Sequence, residues 1–351
     1  MQRFYRVAAL DYPFPNPPAP GTTTEVAPGV HWLRMALPFQ LDHINLWMLE
    51  DGTKENPCWL LVDTGLGNEP TRALWDRIFS EKIGGRPVKR VLVTHYHPDH
   101  AGNAAWLCKR AGAELWMTRG EYLTVHAARH GAAGYSPEAQ KELFRANGLD
   151  VAQTNALLAR GGLYKTMVPD FPFSHRRIFG EESIAVGGRG WKVMLGYGHA
   201  PEHVSLHCEA LNVLISGDML LPRISTNVAV RPIDPRSNPL RLFLESIRRY
   251  LALPQDVFVL PSHGLPFRGA HARIAQLEAH HAERLAELKA YCAASPRAAA
   301  EVLEVLFRRK LDTSQIFFAM GEAIAHLHYL HYEGQLARAV GSDGVARFAP
   351  G

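Results

Sequence analysis

Three imidazoles and one carboxylate fall within six residues of this chain: His95, His97, Asp99 and His100, in the stretch Thr94-His-Tyr-His-Pro-Asp-His-Ala-Gly-Asn103. Imidazole nitrogens and carboxylate oxygens are ligands for borderline divalent cations, and they suit Zn²⁺ as well as Fe or Mn. His95 and His97 are two apart in a tight turn and can converge on one ion. Asp99 and His100 then face a second position about 3.5–4 Å away, the usual spacing of a two-metal site. The cluster follows the β-branched run Arg90-Val-Leu-Val-Thr94 directly, and a strand end is where a rigid sheet presents loop side chains. A histidine-rich surface loop is the plain alternative. Against it stand further histidines and aspartates in short motifs along the rest of the chain.

Those motifs carry a resemblance. His95-x-His97-x-Asp99-His100 resembles the signature of the metallo-β-lactamase superfamily, and the accompanying elements follow in that family's order. Leu61-Val-Asp-Thr-Gly65 matches the early Asp-Thr-Gly, and Gly198-His-Ala-Pro-Glu-His203 is similar to Gly-His-Thr-Pro-Gly-His. Ile215-Ser-Gly-Asp218 matches the Gly-Asp element, and Pro261-Ser-His-Gly264 the late His-Gly. Two positions depart from the pattern: Glu202 stands where Gly is common, and Asn103 follows Gly102 where a second Gly often sits.

The resemblance, which spans roughly residues 24–270, implies two divalent metal ions. His95, His97 and His199 would hold one; Asp99, His100 and His263 the other; Asp218 would bridge. Such a pair lowers the pKa of a shared water toward 7, so hydroxide is available at neutral pH without a protein nucleophile. Asp99 is expected to orient that hydroxide besides binding metal. Asp63 is expected to fix the histidine loop through hydrogen bonds, and His203 to pack or hydrogen-bond behind His199. His43 is a candidate for the pocket mouth, and Tyr122 and Tyr164 for the substrate pocket. His207 lies on a strand heading into the core, while His280, His281, His326, His328 and His331 read as structural or solvated.

The elements that must position these groups can be read from periodicity and turn residues. A proline-rich stretch, Asp11 to Pro20, is expected to lie as an extended arm on the surface within an N-terminal segment 1–23. From Thr24, apolar runs at 30–35, 44–49 and 58–62 predict a strand meander, followed by a helix near 69–81. Helical spacing at 101–111 and a strand at 114–117 come next. Residues 119–177 break this alternation and predict a helical insertion. In it Ser136 and Asp150 act as N-caps, and a helix ends near Gly161-Gly162. Strands resume at 191–195, 204–208, 213–215 and 257–260, with a helix at 238–251 before the last. Two sheets flanked by helices, an α+β class αββα sandwich over 24–270, is the expected architecture. After His271 a long helix to about residue 293, further helices and a hairpin turning at Gly341-Ser-Asp-Gly344 resemble a winged-helix module over 271–351.

Composition narrows the function classes. The chain has 351 residues, a net charge of +4 and 47% hydrophobic residues, which is globular and argues against a strongly basic nucleic-acid binder. Residues 271–351 carry nine Lys/Arg and nine Asp/Glu, with Arg308-Arg309-Lys310 the one basic run, so phosphate neutralisation there is weak. No run reaches the roughly 20 apolar residues of a membrane span, and the opening lacks the apolar core of a signal peptide. Cys58, Cys108, Cys208 and Cys292 are far apart and read as free thiols, so a cytoplasmic setting is expected.

The leading expectation is therefore a glyoxalase II-like dinuclear hydrolase acting on a small thioester, lactone or ester. The insertion combines Tyr122, Tyr135, Tyr164, Phe171 and Phe173 with Arg129, Arg145, Arg160 and Lys165. That mixture suits an acyl group with an anionic handle such as glutathione or coenzyme A, although the aromatics could equally form the cap's own core. The alternatives are an endoribonuclease or phosphodiesterase of the same superfamily and, behind it, an iron-dependent persulfide dioxygenase. A di-iron oxygen reductase would replace a motif histidine by Glu and add a flavin domain. A non-enzymatic binder would not keep all seven ligands. A homodimer is left open as a partner arrangement.

Overall fold

The computed structural model describes residues 9–158 and 163–351. Arg160 and the Gly161-Gly162 helix end lie outside the described residues, as does the opening of the chain. The described chain forms two compact units. The first comprises Met1–Arg129, Tyr164–Thr226 and Ser246–Ile274; the second His130–Leu163, Asn227–Glu245 and Ala275–Gly351.

The first unit is built on two sheets. One runs in chain order: β1 (Thr24–Ala27), β2 (Val30–Ala36), β3 (His43–Gly52), β4 (Pro57–Val62), β5 (Val88–Leu92), β6 (Glu114–Met117) and β7 (Arg176–Arg177). Strands β1 to β4 form the antiparallel meander, and β4 to β7 pair in parallel. The other sheet contains β8 (Ser183–Val186), β9 (Arg189–Gly196), β10 (His203–Cys208), β11 (Val213–Gly217) and β12 (Phe258–Pro261), in the order β12-β11-β10-β9-β8. Strand alternation sends Trp32, Trp47, Leu49, Leu60 and Val62 from one sheet, and Val193, Val204, Leu206 and Ile215 from the other, into a single buried core.

On the opposite face of the first sheet, helix Glu69–Ile78 buries Trp75, whose indole N–H donates to Thr64 O at 2.9 Å. Its N-terminus is capped by Asn68, which accepts from Thr71 N–H at 2.9 Å. The helix then loosens into a π-helical turn, Phe79–Ile83, and stops at Gly84. Behind the second sheet, Tyr250 is buried in the short helix Arg249–Ala252 and its hydroxyl meets Ser205 Oγ at 2.7 Å. The mixed α/β architecture of two sheets with flanking helices is thus present.

The proline-rich arm is tied down rather than merely laid on the surface. Asp11 and Arg268 exchange backbone hydrogen bonds of 3.2 and 2.8 Å, Phe14 stacks on Phe258, and Pro18 is buried. Proline has no N–H to offer a sheet, but the residues around it do.

In the second unit, helix Pro137–Arg145 starts at Ser136, which accepts from Ala139 N–H at 3.1 Å, and Asp150 caps Val151–Leu158 by accepting from Gln153 N–H at 2.7 Å. Residues of 130–163 pack against the C-terminal segment. Phe144 stands edge-on to Phe317, Ala346 N–H donates to Ala146 O at 2.8 Å, and Ala300 N–H to Asn147 O at 3.1 Å. The long helix Ala270–Ala294 belongs to this unit from Ala275 on, a second of 20 residues is Thr313–Tyr332, and β13 (Ala337–Val340) pairs with β14 (Ala346–Ala349). His281, His326 and His328 are buried here, not solvated. Among the described residues no helix is long and apolar enough to cross a membrane, and all four cysteines are free, three of them buried.

Candidate metal centre

Every charged or imidazole group singled out above as a metal ligand lies just beyond a strand. His95, His97, Asp99 and His100 follow β5, His199 follows β9, Asp218 follows β11 and His263 follows β12. The two sheets are stitched together at this edge by Val204 N–H donating to Thr94 O at 2.9 Å and Asn45 N–H donating to Ser262 O at 2.7 Å. The seven side chains come together as two groups, His95, His97, His199 and Asp218 in one, and Asp99, His100 and His263 in the other.

Their donor atoms point at shared volumes. His95 Nε2 lies 2.8 Å from His97 Nδ1 and 3.2 Å from His199 Nε2, which is 3.3 Å from Asp218 Oδ2. In the other group, His263 Nε2 is 3.4 Å from Asp99 Oδ2, and His100 Nε2 is 3.6 Å from the same oxygen. Asp218 Oδ1 is 3.5 Å from His100 Nε2 and 3.4 Å from His263 Nε2. The two carboxylate oxygens of Asp218 are therefore divided between the groups. Four donors about 2.0–2.1 Å from a tetrahedral ion would sit roughly 3.3–3.4 Å apart, and all of these pairs except His95–His97 lie within 3.2–3.6 Å.

The chemistry of the site also fits cations. Buried polar atoms normally have hydrogen-bond partners, yet His100 Nε2 and Asp218 Oδ1 are buried without one. Burial and the neighbouring imidazoles, His100 and His97 foremost, hold His95 well below the ordinary histidine range, so it is neutral with a lone pair to give. Burial pulls His100 and His263 down, but the carboxylates around them outweigh it and raise both. Asp218 is driven well below the carboxylate range despite burial, by His263 and His100. A field that favours a proton at these nitrogens favours a metal cation there too. Imidazole and carboxylate donors leave the metal's identity open.

Behind the donors, the second ring nitrogens of His95, His100 and His263 are fixed. Asp63 Oδ2 lies 2.8 Å from His100 Nδ1, and Asp63 Oδ1 accepts from Thr94 N–H at 2.8 Å. Thr94 Oγ1 is 2.9 Å from Asp63 Oδ2 and 3.1 Å from His95 Nδ1. His203, fully buried, accepts at Nε2 from the Asp218 backbone N–H at 3.1 Å, and its ring stands 4.8 Å from that of His95. Burial and the nearby His199 push His203 down to about 3, so this imidazole remains a neutral acceptor. His263 Nδ1 donates to the His43 carbonyl at 2.7 Å, leaving Nε2 free to face the site. The His43 ring is itself clamped, 2.6 Å from Asp42 Oδ1 and accepting from Gly264 N–H at 2.8 Å.

The remaining candidates separate. Tyr164 donates to Tyr96 O at 2.5 Å, its ring 6.2 Å from the Tyr96 ring, so it lies over the histidine loop. Tyr122 is buried, donates to Pro172 O at 3.1 Å and stacks on His175 at 3.8 Å. Arg129, read as a cationic handle, instead donates to Val168 O at 2.9 Å and Pro169 O at 2.7 Å. Phe171 is buried whereas Phe173 is 98% exposed. Asn103, the second departure from the motif pattern, is buried and links the histidine loop to the turn after β4 through Leu66 O and Thr64 Oγ1. Two groups lacked any motif to mark them: the His43 carbonyl, a backbone atom any residue could supply, and Glu121. Glu121 is 0% exposed, and burial raises it to about 8 against the Glu202 and Tyr96 N–H donors, which favour its charged form.

Comparison with known proteins gives the family. The profile of the Metallo-beta-lactamase superfamily matches residues 41–263, and that of the Metallo-beta-lactamase-like, C-terminal domain matches residues 285–351. The crystal structure of a beta-lactamase domain protein from Burkholderia ambifaria is 48% identical, with a TM-score of 0.90 over 97% of this chain and 98% of that one. A metallo-beta-lactamase family protein from Thermus thermophilus is 29% identical, with a TM-score of 0.78 over 93% and 100%. A probable metallo-hydrolase, YqjP of Bacillus subtilis (strain 168), is 25% identical over 309 residues, covering 86% of this chain and 92% of its own length. With the profile match covering well over half of its length, this chain belongs to the metallo-β-lactamase superfamily.

Proposed function

We propose that this protein is a metal-dependent hydrolase of a small carbonyl substrate, a thioester, lactone or ester, working with two divalent cations, Zn²⁺ in the first place and Fe or Mn as alternatives. The observation that carries the reading is the division of the Asp218 carboxylate, Oδ2 at 3.3 Å from His199 and Oδ1 at 3.4 Å from His263. One residue shared by two donor groups is the arrangement a bridged pair of ions requires. When bound, such ions supply Lewis acidity, lowering the pKa of a water toward neutrality and polarising the scissile carbonyl. His95, His97 and His199 would hold one and Asp99, His100 and His263 the other. The name of the Bacillus relative, a probable metallo-hydrolase, supports the same class.

This chain's own residues set access and orientation. His95, His100, His199, Asp218 and His263 are buried, while His97 and Asp99 are partly exposed, so substrate and water reach the centre past these two. Asp99, 18% exposed at its side chain, is the carboxylate placed to accept a hydrogen bond from the attacking water and orient it. Tyr164, half-buried above the same loop, offers an aromatic face to the substrate's apolar part. On this reading catalysis belongs to 24–270, and the C-terminal module 271–351, most of which shares a compact unit with 130–163 and 227–245, serves packing or dimer formation.

The test is turnover by purified protein with Zn²⁺, Mn²⁺ or Fe²⁺ on a panel of thioesters, lactones, esters, phosphodiesters and RNA. Metal-dependent hydrolysis of a carbonyl substrate, abolished by chelation and restored by metal, is the expected result. RNA cleavage at about physiological salt with no carbonyl turnover would replace this reading by the nuclease one. A single tightly held iron with oxygen-dependent activity on persulfides would replace it by the dioxygenase.

A further inference from the structure

Glu121 and Glu202 form a reciprocal pair at the edge of the metal centre, and neither is one of its donors. Glu121 lies at the start of helix Arg119–His130 and is wholly buried. Its Oε2 accepts from Tyr96 N–H at 2.9 Å, and its Oε1 accepts from Glu202 N–H at 2.6 Å. In return, Glu202 Oε2 accepts from Gly120 N–H at 2.8 Å, and the Glu202 carbonyl accepts from Thr118 Oγ1 at 3.1 Å. Tyr96 sits between His95 and His97; Glu202 is three residues after His199. A single carboxylate therefore grips the main chain of both loops that bring the nitrogens of one donor group together.

From this geometry we infer that Glu121 is a positioning residue for the His95, His97 and His199 group, and that Glu202 locks it in place. The inference rests on the reading that these three histidines hold a metal. A carboxylate is needed because two N–H donors converge on it and each takes its own oxygen; an amide has only one oxygen to give. Both bonds are shielded from bulk solvent, since Glu121 is 0% exposed. Gly120 completes the arrangement: a Cβ there would come within 2.8–3.1 Å of the Glu202 side chain, so any larger residue must push this carboxylate aside from the helix start. The other donor group owes its orientation to different partners, Asp63 behind His100 and the His43 carbonyl behind His263. Removing Glu121 should therefore loosen one half of the centre and spare the other.

The experiment is stepwise Co²⁺ or Zn²⁺ binding by the full chain, followed by chelator competition, for wild type, Glu121→Gln, Glu121→Ala and Gly120→Ala, with thermal unfolding of each metal-free protein alongside. Partners of metal ligands typically change affinity by about 10–100-fold. Glu121→Ala is expected to weaken one of two binding events by that factor and leave the other within about threefold. Glu121→Gln, which keeps one acceptor oxygen, should fall between. Gly120→Ala, which displaces the Glu202 carboxylate without touching either loop's backbone, should weaken the same event by a smaller factor. Equal weakening of both events, or unchanged binding with only a lower Tm, overturns the inference and leaves Glu121 a fold residue. If Glu121→Ala does not fold, the Gln and Gly120 variants decide between these outcomes alone. Wild type that binds no metal, by contrast, would sink the metal-centre reading itself, so the two failures are distinguishable.

Discussion

The Asp63 carboxylate faces His100 Nδ1 at 2.8 Å from a backbone held in the left-handed region, φ 64°. A non-glycine residue in that region is strained, and such strain persists only where the surroundings hold it. Here the restraint is a second set of bonds: Asp63 also accepts from the Thr94 backbone N–H at 2.8 Å, directly before the histidine loop.

Asp63→Asn tests what that carboxylate does. Asparagine tolerates the same backbone conformation, so the strain is preserved. It offers one acceptor oxygen where two are in use, toward Thr94 N–H and toward His100 Nδ1. Affinity for the ion that Asp99, His100 and His263 would hold is expected to fall about 10–100-fold with little change in Tm. Chelator competition on the metal-loaded protein reads the first quantity and thermal unfolding the second.

A second prediction concerns Gly217 and His203. A Cβ at Gly217 would lie 2.4 Å from both Cε1 and Nε2 of the His203 ring, and the residue has φ +54°. Gly217→Ala should cost at least about 1–2 kcal/mol for the backbone alone. It should also push the His203 ring away from the main chain that carries Asp218. The His203→Ala variant should keep most of its metal, because His203 touches the backbone of Asp218 and not its carboxylate. Asp218→Ala should lose metal and nearly all turnover. Equal metal loss in the two variants, measured by elemental analysis, would show that the roles have been assigned to the wrong residues.

Acid should destabilise the second unit through a buried histidine pair. His281 Nδ1 and His326 Nε2 are 3.2 Å apart, and His326 Nδ1 donates to Glu322 O at 2.8 Å, so Nε2 of His326 is the acceptor. Burial lowers His281 from 6.5 to about 3 and His326 from 6.5 to about 4. Both folded values are depressed, so the unfolded chain binds protons first as pH falls. Stability is whole above about 6.5 and is lost as pH drops toward 4 and 3, by about 1.4 kcal/mol per pH unit for each group. His326→Gln can still accept from His281 and donate to Glu322 O. Its unfolding free energy should therefore depend on pH less steeply, by close to one proton between pH 6 and 4.5. Parallel wild-type and variant profiles would rule the pair out as the origin.

The sequence shows some of these relationships far better than others. The histidine loop was readable because its donors are contiguous, polar and placed directly after an apolar strand, a combination that packing alone does not produce. The partners that orient those donors were less readable in proportion to how much of their work is done by backbone. The ring of His43 is what its sequence marks, yet its carbonyl is what meets His263. Glu121 stands some 20 residues from any motif, with nothing in its neighbours to mark it. Periodicity had a similar limit in the insertion: it marks an apolar face at 137–145 but does not say that Phe144 meets Phe317.

That pairing governs the last prediction, for a chain ending at residue 270. The seven donors end at His263, so the centre is covalently complete in such a chain. Three segments of the second unit, however, hold one another. Phe144 and the Ala146 and Asn147 carbonyls are covered by Phe317, Ala346 and Ala300. Val230 N–H donates to Gly321 O at 3.0 Å, and His328 Nδ1 donates to Ser237 O at 2.9 Å. Ending the chain at 270 would leave 130–163 and 227–245 with apolar side chains and backbone carbonyls facing water or one another. Unpaired buried polar groups cost about 1–3 kcal/mol each, and exposed apolar faces associate. The truncated chain is expected to be insoluble, or soluble only as aggregates, on size-exclusion chromatography. A soluble truncated chain that binds two metals and turns over at the full-length rate would show the C-terminal segment to be an independent module, with packing in the second unit of no consequence for the first.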